Sequence, residues 1–507
     1  MNQGERQGQG RERAVVIGAS MGGLLAARVL AESHRRVVVI DRDSLPAAGA
    51  HRKGVPQGRH AHGLLARGRE ALDELLPGLS DELVEQGALR GDIQSGVRWC
   101  NDGHLLAQAP SPLQGLLVSR PLLEGYVRRR VAALPNVEVI DGWTVSGLAT
   151  SSGPDRGDRG IQVTGVHGHG PDGIERTLDA DLVVDATGRG SNTPAWLEHL
   201  GYQAPDEDRV EVKIGYATRT YRRRPDHLGG TIGVVIAPSP PTGRAGVALA
   251  MEGDRWIVTL GGYADDRPPT DPEAWAAYAA SLPRPDVAEI VAAAEPLDEP
   301  LAFRYPASVR RRYERLSRFP AGYLVFGDAL CSFNPIYGQG MTVAALEALA
   351  LRDHLRHPRA QARAFFRTAS RLIEAPWQIA VGNDLRFEHV NGRRTAKVRL
   401  VNRYLARLNR VAEDDGVVAL AFLRAVNLID RPERLLAPSV AWRVFRGPRS
   451  GSGPRPRSQP RPGGNRGTKL PARNTTASAP TAAGTSNGAA RERSVPSPAQ
   501  AAARTSG

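Results

Sequence analysis

The hydrophobic pattern near the N-terminus predicts a strand, a helix and a second strand. Residues 14–17 and 37–40 are continuously apolar, which is typical of strands buried on both faces of a parallel sheet. Between them, residues 22–32 are rich in Leu and Ala and predict a helix. Elements of this length and order form a βαβ unit.

The pattern further along predicts that this unit is only one part of the cofactor domain. Three more strands are predicted at residues 137–140, 160–166 and 182–184, with turns carrying Ser151–Pro154 and Gly170–Gly173. Alternating apolar positions predict a separate antiparallel sheet, with strands at residues 210–217, 231–236, 246–251 and 256–260. A strand at 323–326 then returns to the first domain, and helices follow from 342 to about 444.

These elements predict an α/β fold in which a Rossmann-like domain carries an inserted antiparallel sheet. The expected parts are a cofactor domain, a substrate sheet, a helical region and a disordered basic tail. In residue numbers these are 1–90, 119–206 and 307–375 for the cofactor domain, 91–118 and 207–306 for the sheet, 376–446 for the helices and 447–507 for the tail.

Charge and composition change the picture only at the C-terminus. The chain has 507 residues and a net charge of +14, but the stretch from residue 447 holds ten Lys or Arg and one acidic residue, Glu492. Its Pro, Gly, Ser, Thr and Ala content offers little to bury, so we expect disorder there. The tail is interpreted as a solubilising extension, and the alternative is a tether to an anionic partner, either nucleic acid or a membrane surface. The basic residues are dispersed and lack interleaved aromatic residues, which favours the solubilising interpretation.

The cellular setting follows from what the sequence lacks. Two cysteines, Cys100 and Cys331, make no disulfide framework and are interpreted as structural thiols. There is no signal peptide and no apolar stretch long enough to span a bilayer. We therefore expect a cytoplasmic protein.

The first predicted turn carries a variant of the dinucleotide-binding glycine motif, Gly18-Ala19-Ser20-Met21-Gly22-Gly23. Gly18 permits the tight turn, Gly23 permits close packing of helix on sheet, and Ser20 replaces the second glycine. The helix N-terminus offers unpaired N–H groups to a pyrophosphate. Asp41, at the end of the second strand, is suited to the adenosine ribose. This arrangement predicts an adenine dinucleotide and does not separate NAD from FAD.

A second motif, about three hundred residues later, identifies the dinucleotide as FAD. Asp328 follows a predicted strand, where its carboxylate is suited to polyol hydroxyls, and the glycine pair of Gly338-Gln339-Gly340-Met341 opens the next helix. N–H groups aimed at the flavin N1–C2=O edge would stabilise the anion formed on reduction.

These motifs resemble those of the flavoprotein monooxygenase superfamily, which includes aromatic hydroxylases and squalene epoxidase. The matching segments span about residues 14–440, and the likeness is greatest to actinobacterial flavin-dependent epoxidases of polyether biosynthesis. The matching segments are VVIGASMGG, RKGVPQGRHAH, SRPLL, DLVVDATGRGS and the run from GDA to NPIYGQGM. The resemblance implies that Arg42 lies near the adenosine, Arg120 near the FAD phosphates, Val145 at the adenine and Asp328 at the ribityl chain.

The sequence departs from the family pattern in the third segment. Where the aromatic hydroxylases have an Asp-Gly motif tied to FAD and NAD(P)H, this chain has Asp185-Ala186. Gly188-x-Gly190 resembles a second dinucleotide motif, but no third glycine and no following strand with an acid accompany it. The tryptophan-rich motif of the flavin-dependent halogenases is absent.

Two histidine pairs invite a metal site, but neither has a carboxylate or thiol nearby in sequence. His167 and His169 fall in a predicted hairpin strand and are expected to face solvent. His60 and His62 follow a glycine-rich stretch that passes close to the flavin ring in the resembled family. They are flavin-proximal candidates, with loop packing as the alternative, and no metal is expected.

The leading hypothesis is a FAD-dependent monooxygenase, an epoxidase or hydroxylase, that acts through a flavin hydroperoxide on an apolar secondary metabolite. NAD(P)H is the expected electron donor, directly or through a separate flavin reductase. The substrate is expected between flavin and inserted sheet, against Trp99, Tyr216, Trp256, Phe303 and Tyr305. The alternatives are a FAD-dependent reductase of the geranylgeranyl-reductase type and a non-catalytic protein whose tail recruits nucleic acid.

Overall fold

The computed structural model describes residues 11–46, 49–52, 54–152, 160–357 and 361–447. Over these ranges the chain forms strands that belong to four sheets. In chain order they are β1 (Arg11–Ile17), β2 (His34–Ile40), β3 (Leu89–Asp92), β4 (Val97–Asn101), β5 (His104–Leu105), β6 (Gln114–Leu117), β7 (Val137–Ile140), β8 (Thr144–Ser152), β9 (Ile161–His169), β10 (Glu175–Asp179), β11 (Leu182–Asp185), β12 (Glu207–Arg222), β13 (Gly233–Ile236), β14 (Ala245–Met251), β15 (Arg255–Tyr263), β16 (Leu301–Arg311), β17 (Tyr323–Val325) and β18 (Cys331–Ser332).

The helices pack on the sheets and then gather toward the C-terminal end. In chain order they are α1 (Met21–Leu30), α2 (Ala66–Leu75), α3 (Leu79–Glu85), α4 (Ile93–Gly96), α5 (Arg120–Ala132), α6 (Thr193–His199), α7 (Pro272–Ala280), α8 (Asp286–Ala293), α9 (Gly340–Leu355), α10 (Ala362–Asp384), α11 (Ala396–Ala412), α12 (Gly416–Val426) and α13 (Pro438–Arg446). Among the described residues, no helix is both long and apolar enough to cross a membrane.

The predicted βαβ unit forms the centre of a five-stranded parallel sheet. Its strand order is β17-β11-β1-β2-β7, so the sheet gathers strands from distant parts of the chain. Val15 pairs with Val38 on one side and Val183 on the other, and all three are buried. Continuous Val and Ile runs suit strands that helices cover on both faces. Because all five strands run the same way, their C-terminal ends meet at one edge.

The inserted sheet has eight strands in the order β18-β16-β12-β15-β14-β13-β4-β5. It is antiparallel except at β4, which pairs in parallel with β13, so the expectation of a purely antiparallel sheet is wrong at that pair. The long strand β16 was not predicted, although Phe303 and Tyr305 on it were expected to face the substrate. Two smaller sheets, β10-β9-β8 and β3-β6, complete the fold.

The α/β fold with a Rossmann-like sheet and an inserted second sheet is confirmed. The observed strands are longer than predicted where polar residues still pair; Arg13, for example, pairs with Arg36 at the start of the first sheet. Ser151 and Ser152 extend β8, whereas the remainder of that predicted turn, with residues 153–159, lies outside the described residues. The predicted basic tail also lies outside them, from residue 448 onward.

Three buried clusters hold the described part of the chain together. The first lies on both faces of the parallel sheet and continues into α9 and α10. The second lies between the outer face of the large sheet and the helices α7 and α8, around Trp256 and Trp275. The third joins α11, α12 and α13 to the β4–β5 edge. The large sheet is therefore supported on its outer face and at its β4–β5 edge.

We predict that Gly23→Ala is strongly destabilising. A Cβ at Gly23 would lie 1.7 Å from the carbonyl oxygen of Gly18. This overlap would force α1 away from the turn. We expect a loss of about 3 kcal/mol or more in the free energy of unfolding, by analogy with overpacked cores. Thermal and denaturant unfolding measure it.

The matched control is Gly147→Ala in β8, where a Cβ meets nothing within 4 Å. That change should leave the unfolding midpoint unchanged or slightly raised. Equal midpoints for the two variants would contradict the packing argument.

Candidate flavin site

One large cavity joins the C-terminal edge of the parallel sheet to the inner face of the eight-stranded sheet. Its volume is about 1680 Å³. Pockets for a single drug-sized ligand occupy roughly 300–1,000 Å³, so this cavity has room for a dinucleotide and a second molecule. Of the predicted cofactor residues, all but Gly23 line it. These are Gly18, Ser20, Gly22, Asp41, Arg42, Arg120, Val145, Asp328, Gly338, Gln339, Gly340 and Met341.

The glycine run turns sharply from β1 into α1 at the cavity wall. Gly18 has a φ of +104°, which a residue with a side chain rarely adopts, and its N–H donates to the carbonyl of Ile40 at 2.7 Å. Ser20 is the N-cap of α1, but its side chain makes no capping bond, and the first turn holds no acidic residue. The N–H groups at this helix end therefore remain available to an anion. Gly23 lies behind the turn, where it lets helix and turn touch.

Asp41 lies beside this helix end and is held rigidly. One carboxylate oxygen accepts hydrogen bonds from the N–H of Ala19 at 2.7 Å and from Arg52 at 3.0 Å. The other accepts from the N–H of Asp43 at 2.9 Å. The carboxylate is thus fixed at the end of β2, where the sequence predicts the ribose contact. Arg42 and Val145 line the same end of the cavity.

A cluster of four side chains holds two arginines, Arg52 and Arg120, at the start of α1. Arg120 donates to Ser20 Oγ at 2.9 Å and to Glu124 at 2.8 Å, and Ser20 also donates to Glu124. Arg52 lies 3.2 Å from the other oxygen of Glu124. Burial alone would raise the pKa of Glu124, but the two arginines and the hydrogen bonds lower it below its usual value. The ionised Glu124 therefore holds both guanidinium groups in place.

The sequence interpretation missed Arg52 and Glu124 as parts of this cluster. Arg52 stands in a quoted motif but was given no role, and Glu124 lies one turn after Arg120 on α5. The spacing of Arg120 and Glu124, four residues apart on one helix, was the available signal.

The second half of the site is built by the turn after β17 and the start of α9. Asp328 lies in that turn, and Gly338 takes the left-handed conformation with a φ of +63° just before the helix. A Cβ at Gly340 would lie 3.6 Å from the Asp328 carboxylate, so the helix start and the acid are adjacent. Gln339 caps α9 without a side-chain bond, and the first turn has no acidic residue. This second helix end also offers free N–H groups to the cavity.

Asp328 is open to the cavity yet enclosed by protein on its other sides. Burial raises its pKa, while Arg120 and Arg189 act in the opposite direction. Behind it, Glu347 on α9 accepts the N–H of Gly327 at 2.8 Å and is fully buried. Burial and the nearby Asp328 raise the pKa of Glu347 to about 8, despite the bond from Gly327. A largely neutral Glu347 thus fixes the turn that carries Asp328.

Both candidate histidines line the cavity as uncharged groups. His60 Nδ1 lies 2.8 Å from Thr218 Oγ1, and its ring packs edge-on to Tyr216 with 4.7 Å between centroids. Burial, assisted by Arg59, lowers the pKa of His60 to about 4. His62 donates from Nδ1 to the His60 carbonyl, and burial with nearby Arg120 lowers its pKa to about 3. Both imidazoles are therefore neutral at pH 7.

The inner face of the large sheet forms an aromatic wall. Tyr216, Phe303, Tyr305 and Trp99 line the cavity as predicted, but Trp256 does not. Trp256 is fully buried in the second cluster, because alternate residues of a strand face opposite sides and the cavity side of β15 carries Thr259.

The Asp185 carboxylate forms hydrogen bonds within its own loop. It accepts hydrogen bonds from the N–H of Thr187 at 2.9 Å and from the hydroxyls of Thr187, Ser191 and Thr193, and it is fully buried. Gly188 and Gly190 belong to a short 3₁₀ turn at the cavity wall. The loop is thereby fixed beside Asp328, near which Gly188 lies.

The remaining histidine and cysteine residues form no metal site in the described part of the chain. No group of three or more His, Cys, Asp or Glu side chains is arranged there to hold an ion. His167 lies 2.9 Å from Thr177 on the neighbouring strand. Cys100 and Cys331 are both free thiols in the core.

Comparison with known proteins agrees with this geometry. Residues 11–364 match the family model described as FAD binding domain. "Protein Rv3254" of Mycobacterium tuberculosis is 36% identical over 450 residues, which cover 86% of this chain and 93% of the relative. The chain therefore belongs to this family of FAD-binding proteins.

Solved structures define the fold more closely. A flavoprotein/dehydrogenase from Cytophaga hutchinsonii matches with a TM-score of 0.60 at 15% identity, over 85% of this chain and 96% of that one. PqsL, a probable FAD-dependent monooxygenase from Pseudomonas aeruginosa, matches with a TM-score of 0.54 at 19% identity, over 81% and 99%. The flavin-dependent halogenase CmlS matches with a TM-score of 0.56 at 17% identity, over 85% and 79%. The chain therefore shares the fold of these flavoproteins.

We predict that Arg120→Met weakens FAD binding roughly tenfold to a hundredfold, which corresponds to the loss of one charge-assisted contact. Glu124 keeps its partner Arg52 in this variant, so the fold should survive. Titration of the deflavinated protein with FAD, followed by flavin fluorescence, measures the dissociation constant.

Arg129→Met on the same helix is the control, because Arg129 is exposed and stacks on Tyr126 away from the cluster. An equal loss of affinity in both variants would refute the role given to Arg120.

We predict that Glu347→Gln changes how thermal stability depends on pH. The folded pKa of Glu347, about 8, is above its usual 4.5, so its stabilising effect is complete below the usual value and is lost as pH rises through 8. Gln stays neutral and still accepts the Gly327 N–H. The melting temperature of the variant relative to the parent should therefore rise across that pH range. A constant difference would contradict the assigned neutral state.

Proposed function

We propose that this protein is a FAD-dependent monooxygenase that transfers one oxygen atom of O₂ to an apolar substrate, with alkene epoxidation favoured over arene hydroxylation. The observation that carries the proposal is the single cavity in which the candidate FAD-binding residues and an aromatic wall meet. A secondary metabolite such as a polyketide or terpenoid has the expected apolar character.

The residues present fit FAD along its length. Asp41 would accept the hydroxyls of the adenosine ribose, and Arg42 and Val145 would lie near the adenine. Ser20, Arg120 and the free N–H groups of α1 would bind the pyrophosphate. Asp328 would bind the ribityl chain. Bound FAD, once reduced, supplies the electrons and the reaction with O₂.

The start of α9 is the part of the chain suited to the flavin ring. Gly338, Gln339, Gly340 and Met341 line the cavity, and the helix end has free N–H groups and no competing acid. Its positive end would stabilise negative charge at the N1–C2=O edge of the ring. Neutral Glu347 keeps Asp328 and this helix end in register through the Gly327 turn.

The wall opposite α9 supports chemistry on an apolar molecule. His60 is neutral and packs among Tyr216 and Phe303, so it adds no charge to this wall. A charged group beside the wall is Arg189, whose guanidinium lies over the ring of Tyr305. The aromatic rings would orient the substrate and exclude water, which protects a reactive oxygen species from side reactions. His60 and His62 remain candidates for flavin-proximal roles, with hydrogen bonding in the neutral state as the function that their low pKa values favour.

The proposed electron source is NAD(P)H, acting directly or through a separate flavin reductase. Asp185 itself offers no free carboxylate to a second nucleotide, since that side chain is occupied by hydrogen bonds within its own loop.

Isotope labelling tests the reaction. The FAD-loaded protein, supplied with NADPH or with NADPH and a flavin reductase, should incorporate ¹⁸O from labelled O₂ into a panel of polyene and terpenoid substrates. Mass spectrometry of the products measures incorporation. The Arg120→Met variant, assayed at limiting FAD, should lose turnover in proportion to its lost flavin.

The same assay separates the alternative reaction. Product formed without O₂, with reduction of an alkene in place of oxygen insertion, would support the FAD-dependent reductase of the geranylgeranyl-reductase type. Incorporation of ¹⁸O from labelled water, and not from labelled O₂, would also contradict the monooxygenase.

A further inference from the structure

The cavity reaches the surface through an exposed apolar patch at the C-terminal helices. We define this C-terminal patch as Leu400 on α11, Leu436, and Trp442 and Phe445 on α13. Their side chains are 68%, 63%, 70% and 64% exposed. Leu400, Leu436 and Phe445 also line the cavity. Residues that are both lining and largely exposed mark an opening, so these apolar side chains stand at the cavity mouth, together with Lys397 and Glu433.

Tyr404 brings the members of the patch together. Its hydroxyl donates to the carbonyl of Leu435 at 2.6 Å, and its ring lies 6.2 Å from that of Phe445. Leu400 is one helical turn before Tyr404, and Trp442 is one turn before Phe445. Four large apolar side chains from three segments thus share one surface. A contiguous apolar surface of this kind on a single chain indicates a binding partner.

Most of the charged residues around the patch are basic, although Glu433, which is exposed and stands three residues before Leu436, is acidic. Helix α11 has five basic residues and no acidic one, and α13 has two basic and no acidic. Lys397 and Arg403 stand one turn before and after Leu400, both exposed, and neither forms an ion pair within the described residues. Arg446 stands one turn after Trp442 and is likewise exposed.

The rest of the chain continues this charge. Residues 448–507 begin two positions after α13 and carry ten Lys or Arg against one acidic residue, a net charge of +9. They contain no Trp, Phe or Tyr, so they offer little with which to cover the patch. The partner must therefore be apolar to meet Trp442 and Phe445 and negatively charged to meet the surrounding basic residues.

We propose that the C-terminal patch docks the protein on an anionic lipid bilayer. An amphipathic helix with Trp and Phe on one face and Arg on the other enters the interface of such a bilayer, and a polybasic segment adds electrostatic attraction. Two weak signals together give a stable peripheral association. The cavity mouth would then face the lipid, which is where an apolar substrate dissolves. This last consequence rests on the proposed function, whereas docking does not.

Vesicle flotation tests the docking with oxidised, substrate-free, FAD-loaded protein, so its result is independent of turnover. Vesicles of equal parts phosphatidylcholine and phosphatidylglycerol should carry the full chain, and pure phosphatidylcholine vesicles should carry much less. The double variant Trp442→Ser/Phe445→Ser should bind the anionic vesicles at least roughly tenfold more weakly, because two large apolar groups leave the interface. High salt should weaken the binding of the parent.

The matched control is Ile174→Ser, which replaces another largely exposed apolar side chain, just before β10 and far along the sequence from the patch. It should bind vesicles like the parent, and both variants should retain FAD and the parent melting temperature. Deletion of residues 448–507 should lower vesicle binding. The binding that remains should be lowered further when the double variant is introduced into the truncated chain.

Three results would overturn the proposal. The first is no binding to anionic vesicles. The second is binding that the tail deletion abolishes and the double variant leaves unchanged, which would reduce it to adsorption of the tail. The third is a dimer in lipid-free solution that the double variant dissociates, without vesicle binding, which would assign the patch to a second copy of the chain.

Discussion

The contact between Gly18 and Gly23 is the constraint on which the rest of the site depends. With no side chain at Gly23, α1 begins directly against the turn and its N-terminus faces the cavity. Its position then fixes Ser20, and Ser20 fixes Arg120 and Glu124 on α5. On the other side of the turn, the N–H of Ala19 holds Asp41. The places predicted for the phosphates and for the ribose are thus set by one backbone contact.

A second helix end repeats this arrangement from the far part of the chain. In the parallel sheet β17 pairs with β11, which in turn pairs with β1, so Asp328 and α9 reach the same edge as the glycine run. Two helix N-termini then face one cavity, and neither has an acidic residue in its first turn. Two partial positive charges in one enclosed space favour an extended polyanionic ligand. The electrostatics therefore agree with membership of a FAD-binding family.

The sequence predicted those parts of the site whose signal is local. Strand, glycine run, helix and terminal acid lie within thirty residues, and the run around Gly338 is equally compact, so backbone requirements were visible in the residue types. Arg52 and Glu347 were missed because their roles depend on partners brought near by folding. Trp256 was misplaced because an alternating pattern gives two faces but does not say which one meets the cavity. The face that meets the cavity is decided by how the strand pairs with its neighbours in the sheet. That pairing joins residues far apart in sequence, so a local pattern does not reveal it.

The lining of the cavity changes from charged and polar groups at the α1 end to mainly apolar groups at the surface. At the α1 end, arginines, a carboxylate and free N–H groups suit phosphates and sugars. In the middle, neutral His60 lies among aromatic rings. At the mouth, Leu400, Leu436 and Phe445 are exposed, beside the basic helix α11 and the acidic Glu433. Exposed apolar side chains cost free energy in water, because they remain hydrated. Contact with an apolar phase removes that cost and shortens the path of an apolar substrate to the flavin, so the same feature would serve both stability and access.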